Sequence, residues 1–515
     1  MPSFVWSGRR VGDVFSSARL ISALTLLSRV LGMARDILTS HFLGAGLVWD
    51  AFALANRVPN LFRRLFGEGA LTAAFVPAFV KRLEAGKRDE AFLLLRRLAT
   101  ALTLLLTAVV GIGIAVTYLF PADGKSRLEG EFLRIMLPYL ALICVGAILG
   151  AALNGLKHFF APAFAPVIAN VVSIATILAF AGLAAEPLGR MLAWSVLVGG
   201  VLQLVTMGAV LVARGASLAP DPALGDPALR EVGRQFAPLV LGLSFVQINE
   251  FLNTVIAKLC VAGDGAVSAL YYGNQLTQFP LSLVGVAVAT AAFPALAASA
   301  AGKRWPEFTE LLDKSMRGTV YLSVPATVGL VVFAEPILQL IFEHGQFGPE
   351  ATARAAAVMT YYSLSLAFYC ANQVQVRAFY AMDDTKTPVR VSSSMVVLTL
   401  ALALALVRPM GEAGISLATS IGGLVSFVAL QALLRRRVEV RGGALARTFA
   451  LSLAAALVMA GAAWLLRRHL PSIPRLGLTL DRAYRVGVPI VAAIAVYFGL
   501  TLALRMPEAR RFLRR

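Results

Sequence analysis

Cysteine and histidine, the usual residues of redox and metal chemistry, are almost missing from this chain, at three and four residues respectively. Cys144, Cys260 and Cys370 lie far apart within apolar runs and show no CxxC spacing. That excludes a disulfide framework or a thiolate metal site and predicts three buried free thiols. His41, His158, His344 and His469 each stand alone. Nucleotide and hydrolase signatures are missing too: there is no GxxxxGK[ST], no HExxH, and no polar stretch long enough for a separate catalytic fold. The reading is a transporter, with no cofactor, driven by the membrane potential or an ion gradient. A monovalent cation is a candidate coupling ion. Met1–Ser17 has neither an apolar core nor a small-residue cleavage site, so no cleavable signal peptide is expected.

Charge is also scarce. Only 15% of the 515 residues are charged, 58% are hydrophobic and the mean hydropathy is +0.76. This composition belongs to an all-α polytopic membrane protein. The net charge of +19 does not point to nucleic acid, because the basic residues gather in short connections and not in an aromatic-interleaved patch. Fourteen apolar runs of transmembrane length can be placed between residues 19 and 505. Runs 48–80, 229–262, 266–299 and 352–381 are long enough to tilt, kink or protrude, with Pro59, Pro77, Pro280 and Pro294 as kink positions. Lys and Arg in alternate connections differ by more than three to one, which places both termini in the cytoplasm.

An internal echo organises the runs. Ala73-Ala74-Phe75-Val76-Pro77-Ala78 with Gly86-Lys87-Arg88 returns as Ala291-Ala292-Phe293-Pro294-Ala295 with Gly302-Lys303-Arg304. Gly199-Gly200-Val201-Leu202 returns as Gly422-Gly423-Leu424-Val425, and Lys157 before Pro162 parallels Lys386 before Pro388. The expectation is two parallel-repeat six-helix lobes, at 19–214 and 228–437, around a cavity. Two additional helices follow at 444–505.

Against this apolar background, five arginines fall inside the first two runs: Arg29, Arg35, Arg57, Arg63 and Arg64. Each would cost about 2.5–3.5 kcal/mol at mid-bilayer, so they are expected to face a watery cavity. Helical spacing puts Asp36 on nearly the same face as Arg29 and makes one stripe of Asn56, Asn60 and Arg63/Arg64, with Arg64 four residues before Glu68. Guanidinium suits phosphate because it offers forked donors and stays charged. Two readings stand: an anion site, or pairing of these arginines with Asp36, Asp50 and Glu68. Five arginines against three carboxylates leave a positive excess, and for Arg64 pairing is the favoured reading.

Gln247, Glu250, Thr254 and Lys258 form a second stripe, in the seventh run. Tyr271, Tyr272, Asn274, Gln275, Thr277 and Gln278 form a third, in the eighth. Both fit either substrate contact or interhelical hydrogen bonding. Arg377 through Pro388 reads as a charged turn, either a gate or a capped loop. Arg435–Arg437 and Arg510–Arg515 are topology determinants in contact with anionic membrane lipids.

Several long motifs resemble the MurJ (MviN) family of bacterial lipid II flippases, in the multidrug/oligosaccharidyl-lipid/polysaccharide exporter superfamily. They are Ser28-Arg29-Val30-Leu31-Gly32-Met33-Ala34-Arg35-Asp36, Gly44-Ala45-Gly46 with Asp50-Ala51-Phe52, and Val58 through Ala70. Gln278-Phe279-Pro280, His344-Gly345-Gln346-Phe347 and Lys386-Thr387-Pro388 belong with them. The resemblance implies alternating-access flipping of undecaprenyl-pyrophosphate-linked peptidoglycan precursor (lipid II) across a bacterial inner membrane, with the cell-wall synthesis machinery as a candidate partner. It also implies that Arg29, Arg35 and Arg63 bind near the pyrophosphate, and that Asp36, Asp50, Asn60 and Glu68 gate or contact substrate. Arg57 falls where a basic residue is usual, and the last two helices would hold the lipid tail. One departure stands out: the family usually has an arginine where this chain has Gln275. Lys258 is the candidate replacement. The alternatives are a flippase for another polyprenyl-pyrophosphate oligosaccharide or, with less support, a drug/cation antiporter, whose cavity should carry excess carboxylate.

Overall fold

In lipid no water satisfies a peptide group, so an apolar chain of this kind must close its own hydrogen bonds within helices. The computed structural model bears this out over the residues it describes: 11–64, 70–119, 124–223, 225–439, 442–473 and 477–513. Nineteen α-helices occur among them, with π-helical geometry at Leu281–Val286 and at Arg63 and Arg64. The chain divides into two compact units, Met1–Phe251 and Leu252–Arg515.

The first unit holds α1 (Val11–Leu43), α2 (Leu47–Phe62), α3 (Ala70–Glu84), α4 (Arg88–Thr117), α5 (Gly124–Gly155), α6 (Phe160–Ala179), α7 (Ala185–Ala213) and most of α8 (Pro227–Cys260). Helix α5 is its axis: it packs on α2, α3, α4, α6 and α7. Phe75, Phe79, Leu95, Leu140, Ile148 and Leu211 fill the core around it.

The second unit holds α9 (Ala266–Pro280), α10 (Ala287–Ala301), α11 (Trp305–Val332), α12 (Ala334–Ile341), α13 (Pro349–Ser363), α14 (Leu366–Ala381), α15 (Lys386–Met410), α16 (Glu412–Arg435), α17 (Gly442–His469), α18 (Gly477–Ala503) and α19 (Pro507–Leu513). Helices α17 and α18 pack on each other, and α17 also packs on α11.

Nine described helices are long and apolar enough to cross a membrane, or ten if the bent pair α11–α12 counts as one span. The protein is therefore an all-α polytopic membrane protein. Helices α1, α2 with α3, α8, and α13 with α14 lie outside that set. They either carry the intramembrane charges or are split into shorter pieces.

The four prolines behave differently from one another. Pro280 ends α9 and a π-helical stretch, Leu281–Val286, follows at once, as expected where a ring removes a donor and crowds the preceding turn. Helix α2 stops three residues after Pro59. Helices α3 and α10 run unbroken through Pro77 and Pro294. A bend of 72° between α11 and α12 falls at Phe333, which the apolar pattern did not mark.

His344-Gly345-Gln346-Phe347 has a clear structural task. Gly345 takes φ +60°, and the turn it allows drops Phe347 into the core against Tyr272, with ring centroids 5.1 Å apart. Gly273 beside that tyrosine lets α9 approach α13: a Cβ there would meet Val358 at 2.6 Å.

Candidate functional site

The charged residues of the first unit form two bonded groups. On α1, Asp36 is fully buried, and Arg35 wraps back to it through Nε (3.1 Å) and Nη2 (2.8 Å). Arg35 Nη1 donates to Asn170 Oδ1 on α6 at 3.1 Å, and Asn170 Nδ2 donates to the Ser28 carbonyl at 3.0 Å. This closes a polar loop between α1 and α6. The spacing argument aligned Asp36 with Arg29; a salt bridge also joins Asp36 to its sequence neighbour Arg35. A guanidinium on a long stem can fold back over one residue to make that bond. Arg29 is exposed on α1.

The second group is on α2. Asn60 Nδ2 donates to the Asn56 carbonyl (2.9 Å) and to Asn56 Oδ1 (3.1 Å), and Arg63 Nε donates to Asn60 Oδ1 at 3.2 Å. The stripe expected from i, i+4 and i+7 spacing is thus a connected chain of bonds. Arg64 Nη1 donates to Gln247 Oε1 and Glu250 Oε2, both at 3.0 Å, and Arg57 Nη1 lies 3.5 Å from the same Glu250 oxygen. One carboxylate on α8 therefore serves Arg57 on α2 and Arg64 just beyond its end. Glu68, the expected partner of Arg64, lies outside the described residues. Asp50 is buried in the first turn of α2, where the helix dipole favours a carboxylate.

Arg63 also forms part of the wall of a cavity of about 230 Å³ within the first unit. Thr72, Asn154 and Gln203 give it polar edges, and Gly146 and Gly150 leave it room. The volume is below the ~300–1,000 Å³ usual for ligand pockets, which suits a phosphate-sized group better than a whole glycolipid.

In the second unit, Lys258 stands in the last turn of α8 and Gln275 on α9, both partly buried. Asn253 Nδ2 donates to Thr419 Oγ1 at 3.3 Å. Thr277 donates to the Asn274 carbonyl, and Gln278 Nε2 donates to Asn274 Oδ1, so part of the third stripe bonds within its own helix. Asp384 accepts bonds from the Thr387 N–H (3.0 Å) and hydroxyl (2.7 Å), and Arg437 Nη2 lies 3.4 Å away. This is the geometry of a capped loop. Two thiols, Cys144 and Cys370, are buried as expected; Cys260 is exposed, because it ends α8 where the packing stops. No cluster of three or more His, Cys, Asp or Glu side chains that could hold a metal occurs among the described residues.

The family model for the lipid II flippase MurJ matches residues 39–473. A probable lipid II flippase MurJ of Vibrio cholerae is 32% identical over 516 residues, covering 95% of this chain and 97% of that protein. The lipid II flippase MurJ of Burkholderia cenocepacia is 32% identical over 502 residues, with the same coverages. Among solved structures, a lipid II flippase MurJ in an inward closed conformation superposes with a TM-score of 0.81 at 22% identity, covering 96% of this chain and all of that one.

Proposed function

Because this chain belongs to the MurJ lipid II flippase family, we propose that it carries lipid-linked peptidoglycan precursor from the inner to the outer leaflet by alternating access. The carrying observation is Arg63, held by Asn60 at the wall of a phosphate-sized cavity. Its forked donors take the pyrophosphate. Arg35, fixed by Asp36 and Asn170, and Arg57 and Arg64, gathered by Glu250, supply the surrounding positive field, with Arg29 beside them in the same unit. On this reading Asp36, Asp50, Glu68 and Glu250 are the counter-charges that make the arginines tolerable in a membrane. Lys258 compensates for Gln275.

The reading includes fourteen spans with both termini in the cytoplasm of a bacterium. Matched turns support two repeated lobes. Lys87 caps α4 at φ −91°, ψ 62° and Arg304 caps α11 at φ −87°, ψ 67°, each donating its N–H to a carbonyl five residues back. Lys157 (φ 62°) and Asp383 (φ 57°) occupy a second matched pair of turns. The added helices α17 and α18 border an apolar groove of about 350 Å³ with Pro325, Phe333 and Tyr497, a seat for the lipid tail. Two negative charges moving outward across an inside-negative membrane gain about 4–5 kcal/mol per 100 mV, so the potential assists the cycle.

The test is surface-accessible lipid II in cells depleted of their own flippase. The chain restores it and an equally expressed Arg63→Ala variant does not. If a well-inserted parent chain restores nothing, the cargo is another polyprenyl-pyrophosphate oligosaccharide, and competition with that lipid identifies it.

A further inference from the structure

The connection between α17 and α18 runs against the charge pattern of the chain. On the topology proposed above it lies outside, yet Arg467, Arg468, Arg475 and Arg482 occur within 16 residues there. Basic residues are disfavoured on that side unless something anionic holds them.

The described residues show which of these charges are already used. Arg482 is fully engaged: it donates to the Glu343 carboxylate at 2.9 Å and to the carbonyls of Gln339 and Glu343, tying α18 to the end of α12. Asp481 accepts the Ile473 N–H. Arg468 lies over the Trp464 ring at 5.5 Å, and that half-exposed indole is the kind of side chain that sits at headgroup level. Arg475 lies outside the described residues; Arg467 on α17 remains, and Arg485 stands three residues beyond Arg482 on α18. Arg467 and Arg485 are charged neighbours of each other, with Glu335 the nearby carboxylate. The Nε of Arg485 is buried and has no hydrogen-bond partner among the described residues.

Both arginines stand at one end of the apolar groove. Arg467 is seven residues beyond Ala460 on α17 and Arg485 five before Ile490 on α18, about 10 Å and 7.5 Å of helical rise. Glu335 lies between the groove residues Phe333 and Ile337 on the same side. An apolar slot for a chain therefore ends at two positive charges from neighbouring helices against one carboxylate, Glu335, a net positive end that favours a further anion.

We propose that Arg467 and Arg485 form an outer-leaflet seat for the pyrophosphate of a polyprenyl lipid whose tail lies in the groove below. Two guanidiniums match a headgroup with two or more negative charges better than a phosphodiester with one. The seat holds the translocated headgroup before release. It is separate from the Arg63 cavity, and it rests on the flippase reading only for the identity of the lipid.

Bound copies of undecaprenyl pyrophosphate are counted by native mass spectrometry on the full chain in detergent. The parent binds two copies. Arg467→Gln with Arg485→Gln weakens one of them about ten-fold, close to the worth of one charge-assisted bond, while Arg467→Lys with Arg485→Lys retains it. Arg63→Ala weakens the other copy. The proposal is overturned if the double Gln variant, with unchanged thermal unfolding, binds both copies like the parent. It is equally overturned if uncharged undecaprenol fills the seat as tightly, or if phosphatidylglycerol displaces the pyrophosphate at equal concentration. Failure of the flippase reading would appear elsewhere, as missing surface lipid II with the binding counts unchanged.

Discussion

The first unit joins arginines to carboxylates inside helices as well as at helix ends, whereas in the second unit three pairs that tie separate elements together lie at helix ends. Arg35–Asp36 and Arg57–Glu250 sit within α1, α2 and α8, and Arg64 reaches Glu250 from just beyond the end of α2. Arg354–Glu412, Arg482–Glu343 and Arg437–Asp384 lie at or near the first or last turns of their helices. A hollow of the second unit is apolar, lined by Leu322, Pro325, Met459 and Tyr497, while one in the first is edged by Arg63, Asn154 and Gln203. A buried charge is costly where lipid or hydrocarbon surrounds it, and on the proposed function its placement would separate a unit that handles an anion from a unit that handles a chain.

Mutations test this contrast. Arg35→Ala removes the arginine from fully buried Asp36 and costs about 3–5 kcal/mol, read as a lowered thermal midpoint in detergent. Asp36→Asn in the same background should recover part of it. Arg63→Ala leaves the midpoint close to the parent value but lowers lipid II flipping by about ten-fold or more, the loss of one charge-assisted bond to phosphate. Arg63→Lys keeps the charge without the fork and falls between. In the second unit, Ala493→Trp fills the groove. It costs about 1–3 kcal/mol by overpacking and slows flipping of long-chain lipid II more than of a short-chain analogue.

The smallest effect separates the two units by pH. His158 and Asp384 each follow the left-handed residue of matched turns. Burial, with Arg214 beside it, pushes His158 below its ordinary 6.5; Arg214 donates to Nδ1 and so requires the neutral ring. The Thr387 N–H and hydroxyl, helped by Arg437, hold Asp384 below its ordinary 3.8. Both folded values are depressed, so each contribution is complete above the unfolded value and is lost as pH falls. The His158 contribution fades below about pH 6.5 and that of Asp384 only below about pH 4. His158→Gln should flatten the upper window alone and Asp384→Asn the lower alone, measured by thermal unfolding against pH.

Much of this was legible beforehand because helices translate spacing into faces. Asn56, Asn60 and Arg63 were placed on one stripe by counting, and the structure links them by hydrogen bonds. The capped turn at Asp384 followed from residue types alone. What spacing could not supply was pairing across the chain: Glu250 lies 186 residues from Arg64. The signal was present as an imbalance, since α2 carried unmatched positive charge and α8 an unmatched carboxylate. The bend at Phe333 gave no such sign, having neither proline nor glycine at the break. Pro77 and Pro294, read as kink positions, lie inside helices that continue through them, because neighbouring turns carry the backbone past a single missing donor.

The uneven exposure of the three cysteines makes the chain ready for spectroscopy. Cys144 and Cys370 are shielded by packing, while Cys260 stands at the surface on the last residue of α8. A maleimide dye or nitroxide added to the native sequence therefore reacts at one position, with no engineered cysteine-free background. That position lies ten residues, about 15 Å, along the same helix from the carboxylate shared by Arg57 and Arg64. A label there reports the movement of α8 during a transport cycle in otherwise unmodified protein.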